Sequence, residues 1–259
     1  MSNCLVEFRH VTVQRGGRPA LNDVSLKIAV DEHVAILGPN GSGKSTLFKT
    51  ICQECYPLSR DESSVTVFGK DRWNVSELRT LLGMVSNDLL AFCTRPITGR
   101  EAVLSGFFSS IGLWPHLEVT PSMEQRTDQV LALLEAGHLS GRNVMEMSSG
   151  EARRILIARA LVHDPRALVF DEPSNSLDVF AQEELRLLMR KLAQSGIAIL
   201  LVTHHLADVI PEIQRVIFMR QGQIIADGPK EQLLTAKCLS DLFGVRVELA
   251  TRDGYYHAW

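Results

Sequence analysis

Several absences narrow the reading of this chain. No apolar run in its 259 residues approaches the roughly 18–20 needed for a membrane-spanning helix; the longest, Ile197 to Val202, is strand-sized. No basic segment followed by an apolar one opens the sequence, so no secretory leader is expected and the cytoplasm is the expected location. Neither sign of charge is in excess. A net charge of −3, from 27 Lys and Arg against 30 Asp and Glu, argues against a broad nucleic-acid-binding face. Cysteine is scarce and odd in number: five residues, Cys4, Cys52, Cys55, Cys93 and Cys238, speak against a disulfide framework. Cys52 and Cys55 form a C-x-x-C, but no second such pair and no histidines at zinc-finger spacing accompany them. They read as small buried side chains of a helix. Internal repeats, low-complexity tracts and long linkers are also missing.

What is present is a β-rich start followed by β/α alternation. Leu5 to Val13 and Val24 to Ile28 alternate like strands around a turn at Arg15-Gly16-Gly17-Arg18-Pro19. Val34-Ala35-Ile36-Leu37 is a continuous apolar run, as in a buried parallel strand, and a helix is expected from Lys44. Ser63 to Phe68 returns to strand character. Helical spacing covers Glu101 to Phe108 and Met123 to Ala136, with Pro115 and Pro121 between them. Strands are then expected at Ala167–Phe170, Ile197–Thr203 and Val216–Met219, and helices at Gly150–Val162 and Phe180–Ala193. Gln221-Gly222 reads as a hairpin turn into Gln223–Ala226. The whole predicts an α/β core with a parallel sheet, interrupted by one helical insertion.

Two motifs carry chemistry. Gly38-Pro39-Asn40-Gly41-Ser42-Gly43-Lys44-Ser45-Thr46 fits G-x-x-x-x-G-K-[ST] between an expected strand and an expected helix. Its glycines let successive backbone N–H groups cradle phosphates at a helix N-terminus. Lys44 would reach the β- and γ-phosphates and the Ser45 hydroxyl would bind Mg²⁺. Ala167-Leu168-Val169-Phe170-Asp171-Glu172 is a buried strand ending in two carboxylates. Asp171 can hold the Mg²⁺ shell while Glu172 accepts the proton of an attacking water. Alone, such a pair also suits a solvated strand end; the phosphate loop upstream favours the catalytic reading.

With Met147-Ser148-Ser149-Gly150-Glu151 between these motifs, the chain resembles the ATP-binding-cassette family over roughly residues 3 to 235. The resemblance implies a phosphate-loop NTPase (RecA-like) parallel-sheet core with an N-terminal antiparallel β subdomain and an inserted helical subdomain. On this division 1–88 and 151–243 form the catalytic core, 89–150 the helical subdomain, and 244–259 a short C-terminal strand and aromatic tail. The implied activity is hydrolysis of Mg·ATP. Ser148, Ser149 and Gly150 would present donors to a γ-phosphate held by another subunit, although Ser148-x-x-Glu151 also fits a capping box. Ser174 to Asp178 matches the stretch that crosses the dimer interface, and His204 the switch histidine that contacts the γ-phosphate near Glu172. His205 receives no such role.

Three departures stand out. Asn87 occupies the place of the usual Mg²⁺-sensing glutamine and is one methylene shorter. Arg15 stands where an adenine-stacking aromatic is usual; it reads equally as a stacking guanidinium or as a solvated turn arginine. Ser149 and Glu151 replace a glycine and a glutamine of the signature, and the added carboxylate would repel a triphosphate unless Arg153 or Arg154 neutralises it. The expected partners are a second copy or a similar subunit, arranged head to tail, and a transmembrane permease. The ATPase would then lie peripherally on the inner face of the membrane. Phe107, Phe108 and Trp114, in the apolar stretch Gly106–His116, would either dock that permease or form the insertion's own small core. The alternatives are a soluble ATPase of the iron–sulfur-assembly type and an ATP-sensing module with low turnover.

Overall fold

The structure, a computed structural model, describes residues 4–59, 62–86 and 96–259. It opens with a long antiparallel hairpin, β1 (Cys4–Arg15) and β2 (Arg18–Ala29). The hairpin turns at Gly16 and Gly17, whose φ values of 57° and 76° suit residues without a Cβ. β4 (Ser64–Val67) pairs with the free edge of β1 and completes a three-stranded antiparallel sheet.

A second sheet of six strands lies beneath it, in the order β5 (Leu82–Ser86), β6 (Ala167–Asp171), β7 (Ala198–Thr203), β3 (Val34–Leu37), β8 (Arg215–Arg220) and β9 (Gln223–Pro229). The first five are mutually parallel and β9 runs antiparallel at the edge. Both faces of the central strands are covered, so β3, β6 and β7 are almost wholly apolar and successive residues enter different cores, whereas the edge strand β9 is polar and partly exposed. Val34, Ile36, Val169, Leu200 and Val202 pack with α1 (Lys44–Ile51) and the antiparallel sheet. Ala35, Leu37, Leu168, Phe170, Ile199 and Leu201 pack on the opposite side with α5 (Ser149–Leu161) and α6 (Val179–Gln194).

Between β5 and β6, after the short α2 (Val75–Leu81) that precedes β5, stand α3 (Gly99–Leu104), a 3-10 turn at Ser105–Phe108, and α4 (Pro121–Leu133). Gly106 packs so closely on α5 that an added Cβ would meet the Arg159 carbonyl at 2.5 Å. The expected continuous helix from Glu101 to Phe108 therefore tightens after Leu104. In the apolar stretch that follows, Phe107 packs edge-on to His163 and Ile111 joins the main core, whereas Trp114 is half exposed. After α7 (Lys230–Leu233) and α8 (Ala236–Phe243), the C-terminus differs from the expected single strand. It is a hairpin, β10 (Leu249–Arg252) and β11 (Tyr255–Ala258), turning at Asp253-Gly254. Tyr256 is buried and β11 packs on the 3-10 turn Leu206–Asp208. The Cys52 and Cys55 side chains pack as a buried helix cap and a half-buried neighbour, both as free thiols. No helix among the described residues is long and apolar enough to cross a membrane.

Candidate nucleotide site

Three parallel strands end level with one another. Leu37 pairs with Thr203, and Asp171 with Val202, so Gly38, Glu172 and His204 emerge at one edge of the sheet. Ligands of open parallel sheets bind at such carboxyl edges, where neighbouring chain crossovers diverge.

The phosphate loop is shaped by close approach. A Cβ on Gly38 would lie 2.2 Å from the Met219 carbonyl, and one on Gly43 would lie 2.5 Å from the Ala20 carbonyl. Gly41 and Gly43 also have φ values of 79° and 104°, where side chains strain the backbone. The turn between β8 and β9 braces the loop from outside. Gly222 N–H donates to the Ser42 carbonyl at 2.8 Å, and Asn22 N–H to the Gly222 carbonyl at 2.8 Å. Ser42 is buried, and its hydroxyl has no hydrogen-bond partner among the described residues. Gly43 caps α1 without any side-chain acceptor, so the first-turn N–H groups remain available.

Lys44 is buried. Its ammonium donates to the carbonyls of Gly38 at 2.8 Å and Pro39 at 3.3 Å, and lies 3.3 Å from Glu172 Oε1. The other oxygen of Glu172 accepts the His204 backbone N–H at 3.2 Å and lies 2.8 Å from His204 Nδ1. Glu172 thus sits between the phosphate-loop lysine and the histidine after β7. It holds this place with a φ of 46°, a left-handed conformation. Such strain costs of order 1–3 kcal/mol and persists where the surroundings over-determine the residue. Ser45 Oγ donates to Asp171 Oδ1 at 3.4 Å, which brings the two expected metal ligands together.

These groups border an open cleft of about 520 Å³, lined by Asn40, Gly41, Gly43, Lys44, Ser45 and Thr46 together with Glu172, Asn175 and His204. Pro19, Ala20, Gln221 and Gly222 complete the wall. Arg15 is exposed at the hairpin end and is absent from that wall; Pro19 and Ala20 face the cleft instead. Asn87 lies outside the described residues. Gln221 and Gly222 were legible only as a turn, because nothing in a dipeptide states what the turn packs against.

The second helix terminus is built differently. Ser148 caps α5 in a full capping box: its hydroxyl accepts Glu151 N–H at 3.2 Å, and Glu151 Oε2 accepts Ser148 N–H at 2.8 Å. Arg142 pairs with the same carboxylate. The Ser148 N–H first, and then the Arg142 guanidinium, hold the Glu151 carboxyl below the usual range. The expected neutralisers prove to be engaged elsewhere. Arg154 pairs with Glu184 at 2.9 Å, and Arg153 is buried, its pKa lowered to about 10 by burial. Ser148, Ser149, Gly150 and Glu151 line an open groove of about 390 Å³ with Asp178, which caps α6 by accepting Ala181 N–H at 2.8 Å. This groove and the phosphate-loop cleft share no lining residue.

Sheet, loop and carboxylate together define a phosphate-loop nucleoside triphosphatase. A family model described as ABC transporter matches residues 21–175. The chain is 32% identical over 251 residues to the uncharacterized ABC transporter ATP-binding protein YlmA of Bacillus subtilis, covering 95% of this chain and 93% of that one. It is 31% identical over 245 residues to the hemin import ATP-binding protein HmuV of Thermobifida fusca, covering 94% of this chain and 83% of that one. Among solved structures, cbiO1 from Clostridium perfringens, part of the ABC transporter complex cbiONQ, superposes with a TM-score of 0.76 at 25% identity, over 93% and 94% of the two chains. A dimeric ATP-binding cassette in a post-hydrolysis state, bound to ADP and Pi, superposes with a TM-score of 0.70 at 25% identity, over 86% and 98%. The chain belongs to the ABC transporter family, as an ATP-binding and ATP-hydrolysing subunit.

Proposed function

We propose that two copies of this chain, or this chain and a similar subunit, close head to tail around two ATP molecules and so drive a separate membrane permease. Each triphosphate would lie between Gly38–Thr46 of one subunit and Ser148–Gly150 of the other, with Asp178 beside that second segment. The reading rests above all on Glu172, which is ion-paired to Lys44 and in contact with His204 at the mouth of one cleft. When ATP draws Lys44 to its phosphates, Glu172 is released to take the proton of the attacking water. His204 then bridges Glu172 and the γ-phosphate. Ser45 and Asp171 supply hard oxygen donors that fit Mg²⁺, which would neutralise phosphate charge when bound. The buried Ser42 hydroxyl beneath the loop, without a partner among the described residues, also suits an anion close by.

The same proposal assigns 89–150 as the helical subdomain and 1–88 with 151–243 as the catalytic core. The proposal also places the permease on the insertion, and with it the subunit peripherally on the inner face of the membrane; the relatives named as import ATP-binding proteins support that reading. Relatives named for hemin import and for Fe(3+) ion import favour an importer with an iron-containing cargo. A pull-down from native membranes tests the transport half: the permease reading expects a multi-span protein, and capture of soluble partners alone would overturn it. Turnover and ATP-dependent dimerisation of the purified chain test the hydrolytic half.

A further inference from the structure

Beside the cleft lies a buried carboxylate that the reading above does not use. Asp208 ends the 3-10 turn after His204-His205 and is 1% exposed. Its Oδ2 accepts the Ser174 hydroxyl and lies 3.3 Å from the Thr203 hydroxyl. Its Oδ1 lies 3.9 Å from Arg186 Nη1. Burial pushes its carboxyl up, while Ser174, His205 and Arg186 oppose that shift.

These partners bracket Glu172. Ser174 follows it by two residues and opens the stretch to Asp178; Thr203 ends the adjacent strand immediately before His204. The Thr203 hydroxyl has one proton and two carboxylate acceptors at equal distance: Glu172 Oε2 at 3.3 Å and Asp208 Oδ2 at 3.3 Å. Its oxygen is fixed by His205 N–H at 3.0 Å. A residue held at φ 46° needs its neighbours pinned on both sides. One buried oxygen, gripping a hydroxyl from each flank, supplies that restraint.

We propose that Asp208 is a positioning residue for hydrolysis: through Ser174 it fixes the chain just after Glu172, and through Thr203 it fixes the adjacent strand end that faces the Glu172 carboxylate. It also ties the Glu172 carboxylate to the Ser174–Asp178 stretch, so displacement of one is transmitted to the other. The C-terminal hairpin holds Asp208 from behind, since β11 packs on Leu206–Asp208 and Gly254 sits so close to Pro211 that an added Cβ would be 3.1 Å away. The inference rests on Glu172 being the base, as proposed above.

The test measures steady-state ATP hydrolysis and nucleotide affinity of the full chain carrying Asp208→Asn, Asp208→Ala, Ser174→Ala with Thr203→Val, and the triple variant Asp208→Ala, Ser174→Ala, Thr203→Val. Misplacing a reacting group by a fraction of its reach lowers kcat, so Asp208→Ala should lose roughly 10–100-fold in kcat with KM for ATP within about twofold. Asp208→Asn, which keeps an acceptor of the same shape, should lose less. Because the carboxylate acts through the two hydroxyls, the triple change should be no worse than the double. Full kcat in a folded Asp208→Ala protein would overturn the proposal, as would losses that simply multiply in the triple variant. Should Asp208→Ala fail to fold, Asp208→Asn and the hydroxyl pair decide by the same criterion. Glu172→Gln run alongside separates the two ideas: retained turnover there removes Glu172 as base, whereas its loss with unimpaired Asp208 variants removes only the positioning role.

Discussion

The N-termini of α1 and α5 look alike in sequence, each a short Gly/Ser-rich stretch before a helix, yet they are prepared for different events. At α1, among the described residues, no side chain caps the helix and the Ser42 hydroxyl below it is buried without a partner. At α5 Ser148 and Glu151 satisfy each other, and Arg142 completes the set. The first end has no side-chain cap; the second has its Ser148 and Glu151 N–H groups already satisfied within the lone subunit. An anion-binding terminus therefore cannot be inferred from glycines and serines alone, because the same residues can consume their own donors. On the proposed assembly, the α1 end captures nucleotide and the α5 end responds to a partner that already carries it.

The largest expected effect lies on the α1 side. Glu172→Gln should lower turnover by roughly 10²–10⁴-fold, the usual contribution of a general base, while ATP still binds and traps a dimer. Single-turnover hydrolysis with size-exclusion chromatography reads both. Unchanged turnover would remove Glu172 from the chemistry. Lys44→Ala should act on binding itself, weakening ATP affinity by roughly 10–100-fold, the loss expected for a charge-assisted contact. It also removes the cation beside Glu172 Oε1. Calorimetric affinity equal to that of the unaltered chain would contradict the phosphate-loop assignment.

A smaller effect sharpens the contrast from the α5 side. Glu151→Gln keeps an acceptor for the Ser148 N–H but deletes the charge, whereas Arg142→Ala deletes the cation and leaves the carboxylate facing any incoming triphosphate. ATP-driven dimerisation, followed by light scattering in the Glu172→Gln background, should strengthen about twofold in the first case and weaken several-fold in the second. The pair combined should resemble Glu151→Gln. If both single changes weakened dimerisation equally, the cap would matter only for helix stability, where loss of such a cap costs about 0.5–2 kcal/mol.

How much of this was legible beforehand follows from the range of each interaction. The strand–loop–helix around Lys44 shows itself as nine consecutive positions, Gly38–Thr46, so sequence sufficed to find it, although the glycines at 38 and 43 also answer to the distant Met219 and Ala20 carbonyls. The Ser148–Glu151 box was equally legible. Its charge partner was not: Arg153 and Arg154 are nearer in sequence, but the helix turns one into the core and the other toward Glu184, leaving Arg142 from the preceding loop. Arg15 sits at the exposed hairpin end, and it is Pro19 and Ala20, just past the turn, that border the cleft. Asp208 carried no signal at all; a lone acid in Leu206–Asp208 reads as solvated until the C-terminal hairpin is laid over it. That hairpin did have a cue, Asp253-Gly254 before Tyr255-Tyr256, which favours a two-stranded turn over a single strand.

The smallest effect comes from the opposite edge of the same sheet, where binding plays no part. His33 precedes β3, and its Nδ1 accepts Ile199 N–H at 3.2 Å, which requires an unprotonated nitrogen. Burial lowers its pKa below the ordinary 6.5, against an opposing influence from Glu212. The unfolded chain therefore takes up a proton near pH 6.5 that the folded chain resists, so this contribution to stability is present above that pH and lost as pH falls through the folded value. His163 has the same sign through burial, against hydrogen bonds with the Gly106 and Phe107 backbone that favour its charged form. His33→Gln offers Ile199 N–H an acceptor that does not titrate. Between about pH 7.5 and about pH 5.5 the melting midpoint of the unaltered chain should fall by about 1–3 °C more than that of His33→Gln. The difference should persist in Lys44→Ala, because no nucleotide contact is involved. A gap that closed in that background would place His33 within the energetics of the cleft, and the two edges of the sheet would then be coupled where the structure shows them apart.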